Sequence, residues 1–355
     1  MSNPLTYRDA GLDLEVYEQS IQSMIPLLRR THTPRVVDGF GGFASLFSLD
    51  FNSRLFARNY RRPVLVTSTD GVGTKLKVAS LAQKYDTVGI DLVAMCVNDC
   101  LCTGGEPLLF LDYLAMPKDD PVLTKALVQG ISDGCMTSYC SLIGGETAIL
   151  PDVYQPGDFD MAGFTVGVVE RDHIITGQSI RPGDVVLGLA SSGIHSNGYS
   201  LARKAIFERG GLKIDSFVPD LSRTVGEELL EPTKIYLKPI LNLLRNYPVK
   251  RRVIRGLAHI TGGGLEDNIP RVLPENRRVV IQKGSWPIPP VFEWMQKLGN
   301  IEEAEMFRVC NMGVGFVMIV GPYFAESVQR QLHEDHITNW VIGEVQEGER
   351  GVSFV

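Results

Sequence analysis

The sequence predicts an α+β protein in two halves. Three observations predict it. Short apolar runs of strand length and amphipathic stretches of helical period follow one another in mixed order through both halves. Apolar residues make up 44% of the 355, enough for a sizeable core and too many for a disordered chain. A polar, turn-rich stretch, 170–182, separates an N-terminal domain, 1–171, from a C-terminal domain, 172–355.

Charge and cysteines narrow the function classes. The net charge is -6, whereas a nucleic-acid binder usually carries a basic excess, so no nucleic-acid partner is expected. The basic clusters at 54–62 and 250–255 read as solvated faces. Six cysteines without zinc-finger spacing read as buried free thiols in a reducing compartment. The first ten residues are polar, so no signal peptide is visible. No apolar run approaches the ~20 residues of a membrane span. The expectation is a soluble, cytoplasmic protein with no membrane contact.

In the first half, 14–30 reads as an amphipathic helix that Pro26 kinks or ends. DGFGGF follows, with Gly39, Gly41 and Gly42 suggesting a mobile phosphate-covering loop; a dinucleotide fingerprint or a plain turn are the alternatives. The apolar strand 63–66 then runs into STDGVGTKLK. Asp70 offers oxygen to a divalent cation. Gly71 and Gly73 permit positive φ and an anion-binding nest. Thr74 supplies a hydroxyl and Lys75 a compact charge for phosphate. A glycine turn with a solvated lysine is the plainer reading. The order of residues rules out a P-loop, because Thr74 precedes the lysine.

The stretch 86–103 reads as a helix capped by Asp86 and apolar almost all round, hence buried. It nevertheless carries Asp91, Asn98 and Asp99. Asp91 and Asn98 lie two turns apart on one face, ~10 Å between Cα atoms. Buried acids need a metal or a lysine, and Lys75 is a candidate, so a structural salt bridge stands beside the metal reading. A strand at 107–115 holds Asp112, and 121–138 is an amphipathic helix. LIGGETAIL sets Gly144, Gly145 and Glu146 after an apolar run, and 160–169 is a strand.

The second half opens with a strand at 184–190 and then SSGIHSNGYSL, where small residues, His195 and Asn197 precede a helix. Backbone N–H groups at such a junction bind anions. His195 reads as a ligand residue, with a capping or core histidine as the alternative. Helix is expected within 228–245, with Pro232 near a first turn. A strand at 253–260 leads into Thr261, Gly262, Gly263 and Gly264, and a helix at 265–271 follows. Strands at 314–320 and 340–345 finish the chain, with His333 and His336 at a surface helix end. Carboxylates thus gather in the first half and anion-type loops in the second.

Together these stretches resemble the phosphoribosylformylglycinamidine cyclo-ligase (AIR synthetase) family of ATP-using enzymes. The likeness runs from YRDAGLDLE through GFGGF, TDGVGTKL, VGIDLVAMCVND, EPLLFLDYLA, GGETA, DFDMAGFTVGVVE, SSGIHSNGYSL and HITGGGLEDNIPRVLP to NMGVGF. It implies ATP-dependent closure of formylglycinamidine ribonucleotide to 5-aminoimidazole ribonucleotide through an iminophosphate. It implies ATP at Gly39, Gly41, Gly42, Asp70, Gly71, Thr74, Lys75, Asn98 and Glu146. Mg²⁺ is implied at Asp70, Asp91, Asp112 and Glu146. The phosphorylated ribonucleotide is implied at Ser192, His195, Ser196, Asn197, Thr261, Gly262, Gly263 and Gly264, with His195, Lys75 and Asp91 catalytic. It further implies two α/β-sandwich-like halves with mixed sheets, and a homodimer whose N-terminal strands join in a barrel, which suits apolar strands that a lone first half leaves uncovered. The chain departs from the family at Ile149, where relatives carry an acid, at the CLCTGG stretch, and in lacking a lysine within 22–28. The rival expectations are another ATP-using synthetase or kinase of the same superfamily, and a non-catalytic nucleotide-binding protein.

Overall fold

The computed structural model describes residues 14–38, 44–49, 60–248 and 252–355. Gly39, Gly41 and Gly42 lie outside the described residues. In chain order the first half gives α1 (Leu14–Arg29), β1 (Val36–Asp38), β2 (Leu46–Phe47), β3 (Pro63–Gly71), α2 (Lys75–Ala82), α3 (Val88–Cys102), β4 (Glu106–Met116), α4 (Pro121–Thr137), β5 (Ser141–Ile149) and β6 (Asp160–Glu170). The second gives β7 (Val185–Ala190), α5 (Tyr199–Arg203), β8 (Phe217–Val218), β9 (Arg223–Thr224), α6 (Val225–Leu229), α7 (Leu237–Asn246), β10 (Ile254–His259), α8 (Gly264–Asn268), β11 (Arg277–Ile281), α9 (Pro290–Gly299), α10 (Glu303–Val309), β12 (Val314–Val320), α11 (Ala325–Glu334), β13 (Asn339–Glu347) and β14 (Gly351–Phe354).

A four-stranded sheet of order β3-β6-β4-β5 forms the first half. β3 and β4 pair antiparallel with β6, and β5 pairs parallel with β4, so the sheet is mixed. β3 alternates, exposing Leu65, Thr67 and Thr69 while Val64, Val66, Ser68 and Asp70 turn inward. α3 and α4 cover the inner face, where Leu92, Cys96, Phe110, Leu114, Ile131 and Leu142 form the core. The two helices touch through backbone: a Cβ on Gly89 would collide with Ile131 N, and one on Gly130 with Asp86 O. Asp120 starts α4, its carboxylate accepting from Val122 N and Leu123 N ahead of Pro121 at the first turn.

The second half is a six-stranded sheet of order β10-β12-β7-β13-β11-β14, antiparallel except for the β11–β14 pair. Every residue of β12 is buried, as a central strand covered on both faces requires. Tyr236, Leu237, Ile240, Phe316, Met318 and Leu332 fill one side of it. The mixed α and β architecture matches the expected class.

Several local expectations are corrected. Pro26 lies inside α1 and neither ends it nor starts a boundary; the last turn is held from outside by Ser132 Oγ donating to Leu27 O at 2.6 Å. β3 continues past Val66 to Gly71, because β6 pairs with it residue for residue as far as Ala162. Gly71 therefore keeps extended backbone, and only Gly73 of the two adopts positive φ (72°). α2 follows at once, a helix the glycine-rich reading missed. α3 starts at Val88, with Thr87 rather than Asp86 at its N-cap. Gly144, Gly145 and Glu146 sit within β5 and not in a loop after it. The helix expected within 228–245 is α7, but Pro232 lies in an irregular stretch, 231–236, between α6 and α7 and not near a first helical turn. All six cysteines are free, five of them buried, as expected. Burial pushes the thiols of Cys96, Cys100 and Cys102 well up, so they stay protonated and inert.

Candidate active site

The polar residues singled out in the sequence converge where α2 and α3 of the first half meet the 191–198 loop and the 231–236 stretch of the second. Lys75 opens α2 and points into the junction. Its Nζ lies 2.8 Å from Asp91 Oδ2 and 2.9 Å from Oδ1, and also donates to His195 O at 3.0 Å and Glu231 O at 2.7 Å. Both side chains are fully buried. Burial pushes the Lys75 ammonium down, and Asp91 opposes the shift. Asp91 Oδ1 also accepts from Thr233 N and Thr233 Oγ1, both at 2.7 Å. The salt-bridge reading of Asp91 is therefore the arrangement observed.

The four carboxylates assigned to Mg²⁺ do not assemble. Among the described residues no group of three or more His, Cys, Asp or Glu side chains is placed to hold a metal. Asp70, Gly163, Asp112 and Gly145 form one line across the four strands. Asp70 is half-buried at the β3 end of that line. Its carboxylate accepts from Gly71 N at 2.8 Å, and burial pushes its pKa up, with Asp99 adding to the shift. Asp112 faces the core, where burial pushes it up to about 7. Its Oδ1 occupies the room a Cβ on Gly145 would need. Glu146, the next residue, alternates to the opposite face and is exposed. Asp91 is spent on Lys75 and Thr233. The sheet thus separates Glu146 from Asp112, and the lysine occupies Asp91.

Asn98 bridges the halves. Its Nδ2 donates to Lys234 O at 2.9 Å, and its Oδ1 accepts from Tyr236 N at 3.0 Å. Nδ2 also lies 3.4 Å from His259 Nε2, while His259 Nδ1 lies 3.0 Å from Asp99 Oδ1. With Nε2 facing an amide donor, the imidazole proton belongs on Nδ1, donated to Asp99. The sequence reading treated His259 only as the end of a strand. Its place two residues before Thr261 and the glycines was the available signal. A cavity of about 420 Å³ opens beside this pair, walled by Ser68, Asp99, Thr103, His259 and Arg271 from both halves.

The 191–198 loop is fixed from within. His195 has positive φ (66°) and is almost fully buried. Its Nε2 accepts from Ser192 N at 3.1 Å and Lys234 N at 3.5 Å. Burial, with His259, Lys75 and Lys234 nearby, holds the imidazole well below its usual pKa and so neutral. The ring fits only because residue 315 is glycine: a Cβ there would collide with His195 Cε1 and Tyr236 Oη. Ser192 Oγ donates to Pro232 O at 2.6 Å, and Ser196 Oγ pairs with Thr233 Oγ1 at 2.9 Å. Asn311, unremarked in the sequence, ties the loop down through Gly193 O and Ile194 O. Thr74 Oγ1 reaches Ser200 Oγ at 3.0 Å, linking the first-half loop to α5.

Thr261 to Gly264 form the second loop, with positive φ at Gly263 and Gly264. Asn268 Nδ2 donates to the carbonyls of Thr261, Gly262 and Gly264. A Cβ on Gly262 would sit 3.5 Å from Asn197 Oδ1, so the two loops meet there. The junction thus gathers Lys75, Asp91, Asn98, Ser192, His195 and Ser196 around one stretch of backbone, with Thr74, Asn197 and Gly262 beside it. Asp112 and Glu146 stand apart.

Two family models match the chain in succession. The family model for the AIR synthase related protein N-terminal domain matches residues 59–169, and that for the C-terminal domain matches 181–355. The chain is 52% identical over 351 residues to the phosphoribosylformylglycinamidine cyclo-ligase of Citrifermentans bemidjiense, covering 99% of this chain and 98% of that protein. It is 51% identical over 355 residues to the enzyme of the same name from Syntrophotalea carbinolica, covering 99% and 98%. Among solved structures, thiamine-monophosphate kinase from Stenotrophomonas maltophilia superposes with a TM-score of 0.68 at 16% identity, covering 94% of this chain and 95% of that one. The hydrogenase maturation protein HypE in complex with ATP superposes at 0.64 and 16%, covering 92% and 88%. At these identities the structural matches speak for the fold alone.

Proposed function

The chain belongs to the phosphoribosylformylglycinamidine cyclo-ligase family, ATP-dependent ligases of purine biosynthesis, and from that premise we propose how its junction carries the reaction. ATP transfers its terminal phosphoryl group to the formyl amide oxygen of formylglycinamidine ribonucleotide; the bond to ADP breaks and a C–O–P linkage forms. The amidine nitrogen attacks the activated carbon. A C–N bond closes the ring, the C–O bond breaks, phosphate departs, and the nitrogen gives up a proton.

Both nucleophile and electrophile belong to the substrates, so the protein positions two phosphorylated ligands and balances charge. The first half, ending near 171, is the proposed nucleotide side, with Asp70, Thr74 and Lys75 turned toward the junction. The second half is the proposed ribonucleotide side, with its phosphate at the 191–198 and 261–264 loops. The observation that carries this reading is the unbroken path Lys75–Asp91–Thr233–Ser196, which joins the two sides through 2.7–2.9 Å hydrogen bonds. Mg²⁺ is proposed only as the companion of ATP facing Asp70, and no step is assigned to it. The proposed homodimer buries the outer face of the four-stranded sheet, where Leu65 is 55% and Phe164 43% exposed. A cytoplasmic location is proposed too; no described helix is long and apolar enough to cross a membrane.

The direct test follows phosphate release from ATP with formylglycinamidine ribonucleotide present and absent, together with aminoimidazole ribonucleotide formation. Equal amounts of phosphate and product, both dependent on the ribonucleotide, support the reading. ATP hydrolysis without ring closure, or phosphorylation of a different acceptor, would overturn it.

A further inference from the structure

Residues 231–236 cross the junction as neither helix nor strand, yet their backbone is held at nearly every position. Lys75 binds Glu231 O, Ser192 binds Pro232 O, and Asp91 takes Thr233 N. His195 takes Lys234 N, while Asn98 binds Lys234 O and Tyr236 N. Lys234 is therefore fixed through both its N–H and its carbonyl, and its side chain leaves from an anchored point.

Lys75, His195, His259 and Lys234 all lie around this stretch, and the first three are accounted for. Lys75 is paired with Asp91, and His259 with Asp99. His195 is buried with a neutral ring. Lys234 is half-buried, and among the described residues its ammonium makes no hydrogen bond or ion pair. Burial pushes its pKa down, whereas at Lys75 Asp91 opposes the same shift. Its backbone N–H is held by His195 Nε2, so its side chain leaves beside the same loop. A partly desolvated ammonium without a counter-ion is unfavourable, and an arriving anion removes the penalty.

We propose that Lys234 binds a phosphate-class anion at the junction, either the terminal phosphate of the nucleotide or the phosphate of the ribonucleotide. The proposal rests on the junction being the active site. A lysine suits the task as a compact, rotatable charge on a fixed backbone.

Titration calorimetry on the full chain, without turnover, tests it with two probes: ATP with magnesium, and ribose 5-phosphate. Lys234→Met is compared with the wild type and with Lys297→Met, a substitution of an exposed lysine outside the junction. Lys234→Gln serves as a second variant should the Met protein fail to fold. The expected result is at least tenfold weaker binding of one probe with an unchanged melting temperature. Loss confined to ATP assigns the terminal phosphate; loss confined to ribose 5-phosphate assigns the ribonucleotide. Affinities within twofold of wild type for both probes overturn the proposal, as does an equal loss in Lys297→Met or a wild type that binds neither. Cyclo-ligase turnover of the wild type is measured separately, so failure of the reaction assignment is distinguishable from failure of this one.

Discussion

Lys75 Nζ and Asp91 Oδ2 lie 2.8 Å apart with neither side chain exposed, at the point where the two halves meet. A buried pair of this kind adds little net stability against an apolar pair, but removing one member strands the other's charge. Lys75→Met is expected to cost about 3–5 kcal/mol in urea denaturation. Lys75→Met combined with Asp91→Asn should recover a large part of that loss, because no buried charge then remains alone. A single variant with an unshifted midpoint would remove the pair from any structural role.

Asp112 predicts a pH dependence. Its carboxyl is pushed up to about 7 by burial, from an ordinary value near 3.8. Between those values the folded chain keeps a proton that the unfolded chain has lost. Stability from this group therefore falls as pH rises from about 4 to about 7, and is level beyond. Asp112→Asn removes the dependence. Its stability relative to wild type should climb over that window by no more than about 4 kcal/mol, measured in metal-free buffer. A constant difference from pH 4 to 8 would show that Asp112 titrates normally.

How much of this was legible in the sequence depended on range. An acid on an apolar helix demands a cation, so the partnership of Asp91 with Lys75 was readable. Period and apolar runs likewise marked α3, α4 and β12. The strand character of Asp70, Gly71 and Gly144–Glu146 was not readable, since aspartate and glycine are poor strand formers and neighbouring strands impose the pairing. The stretch 231–236 was misread around Pro232 because its partners, Asp91 and Asn98, are nearly 140 residues or more away in sequence. His259, Asn311 and Lys234 were missed for the same reason: their meaning lies in tertiary contacts, not in local pattern. Of the Mg²⁺ set, Glu146 stands away from Asp112 because a one-residue step along a strand changes face.

Asp70 is the one member of that set left half-exposed and turned to the junction. Asp70→Asn should weaken ATP–magnesium binding at least tenfold while leaving the melting temperature within a few degrees. Calorimetry with ATP, with and without magnesium, measures both the loss and whether the metal is part of it. Unchanged affinity would remove Asp70 from the nucleotide side altogether.

Leu65 and Phe164 stand exposed on the uncovered face of the four-stranded sheet. If that face is buried between two copies, a charge on it is costly on association and harmless in isolation. Leu65→Glu with Phe164→Glu should convert a dimer to a monomer in sedimentation velocity at micromolar concentration. A wild-type monomer under those conditions would refute the dimer outright.

His195 permits the sharpest distinction. Read from sequence, it is a ligand residue or a core histidine, and the family resemblance implies a catalytic role. In the structure it is almost fully buried, and its Nε2 holds the N–H groups of Ser192 and Lys234. Its influence on the substrate then runs through the shape of the loop. His195→Ala leaves two N–H groups without their acceptor and places alanine at φ 66°, so a loss of about 1–3 kcal/mol in stability is expected. Turnover should fall with a raised KM for the ribonucleotide, while ATP binding alone is little changed. His195→Asn separates the two roles, because asparagine tolerates left-handed backbone and offers an acceptor oxygen but no imidazole. If His195 pins the loop, His195→Asn recovers much of the stability and the KM together. If the imidazole acts on the substrate, His195→Asn regains stability and stays as inactive as His195→Ala, and the loop account fails.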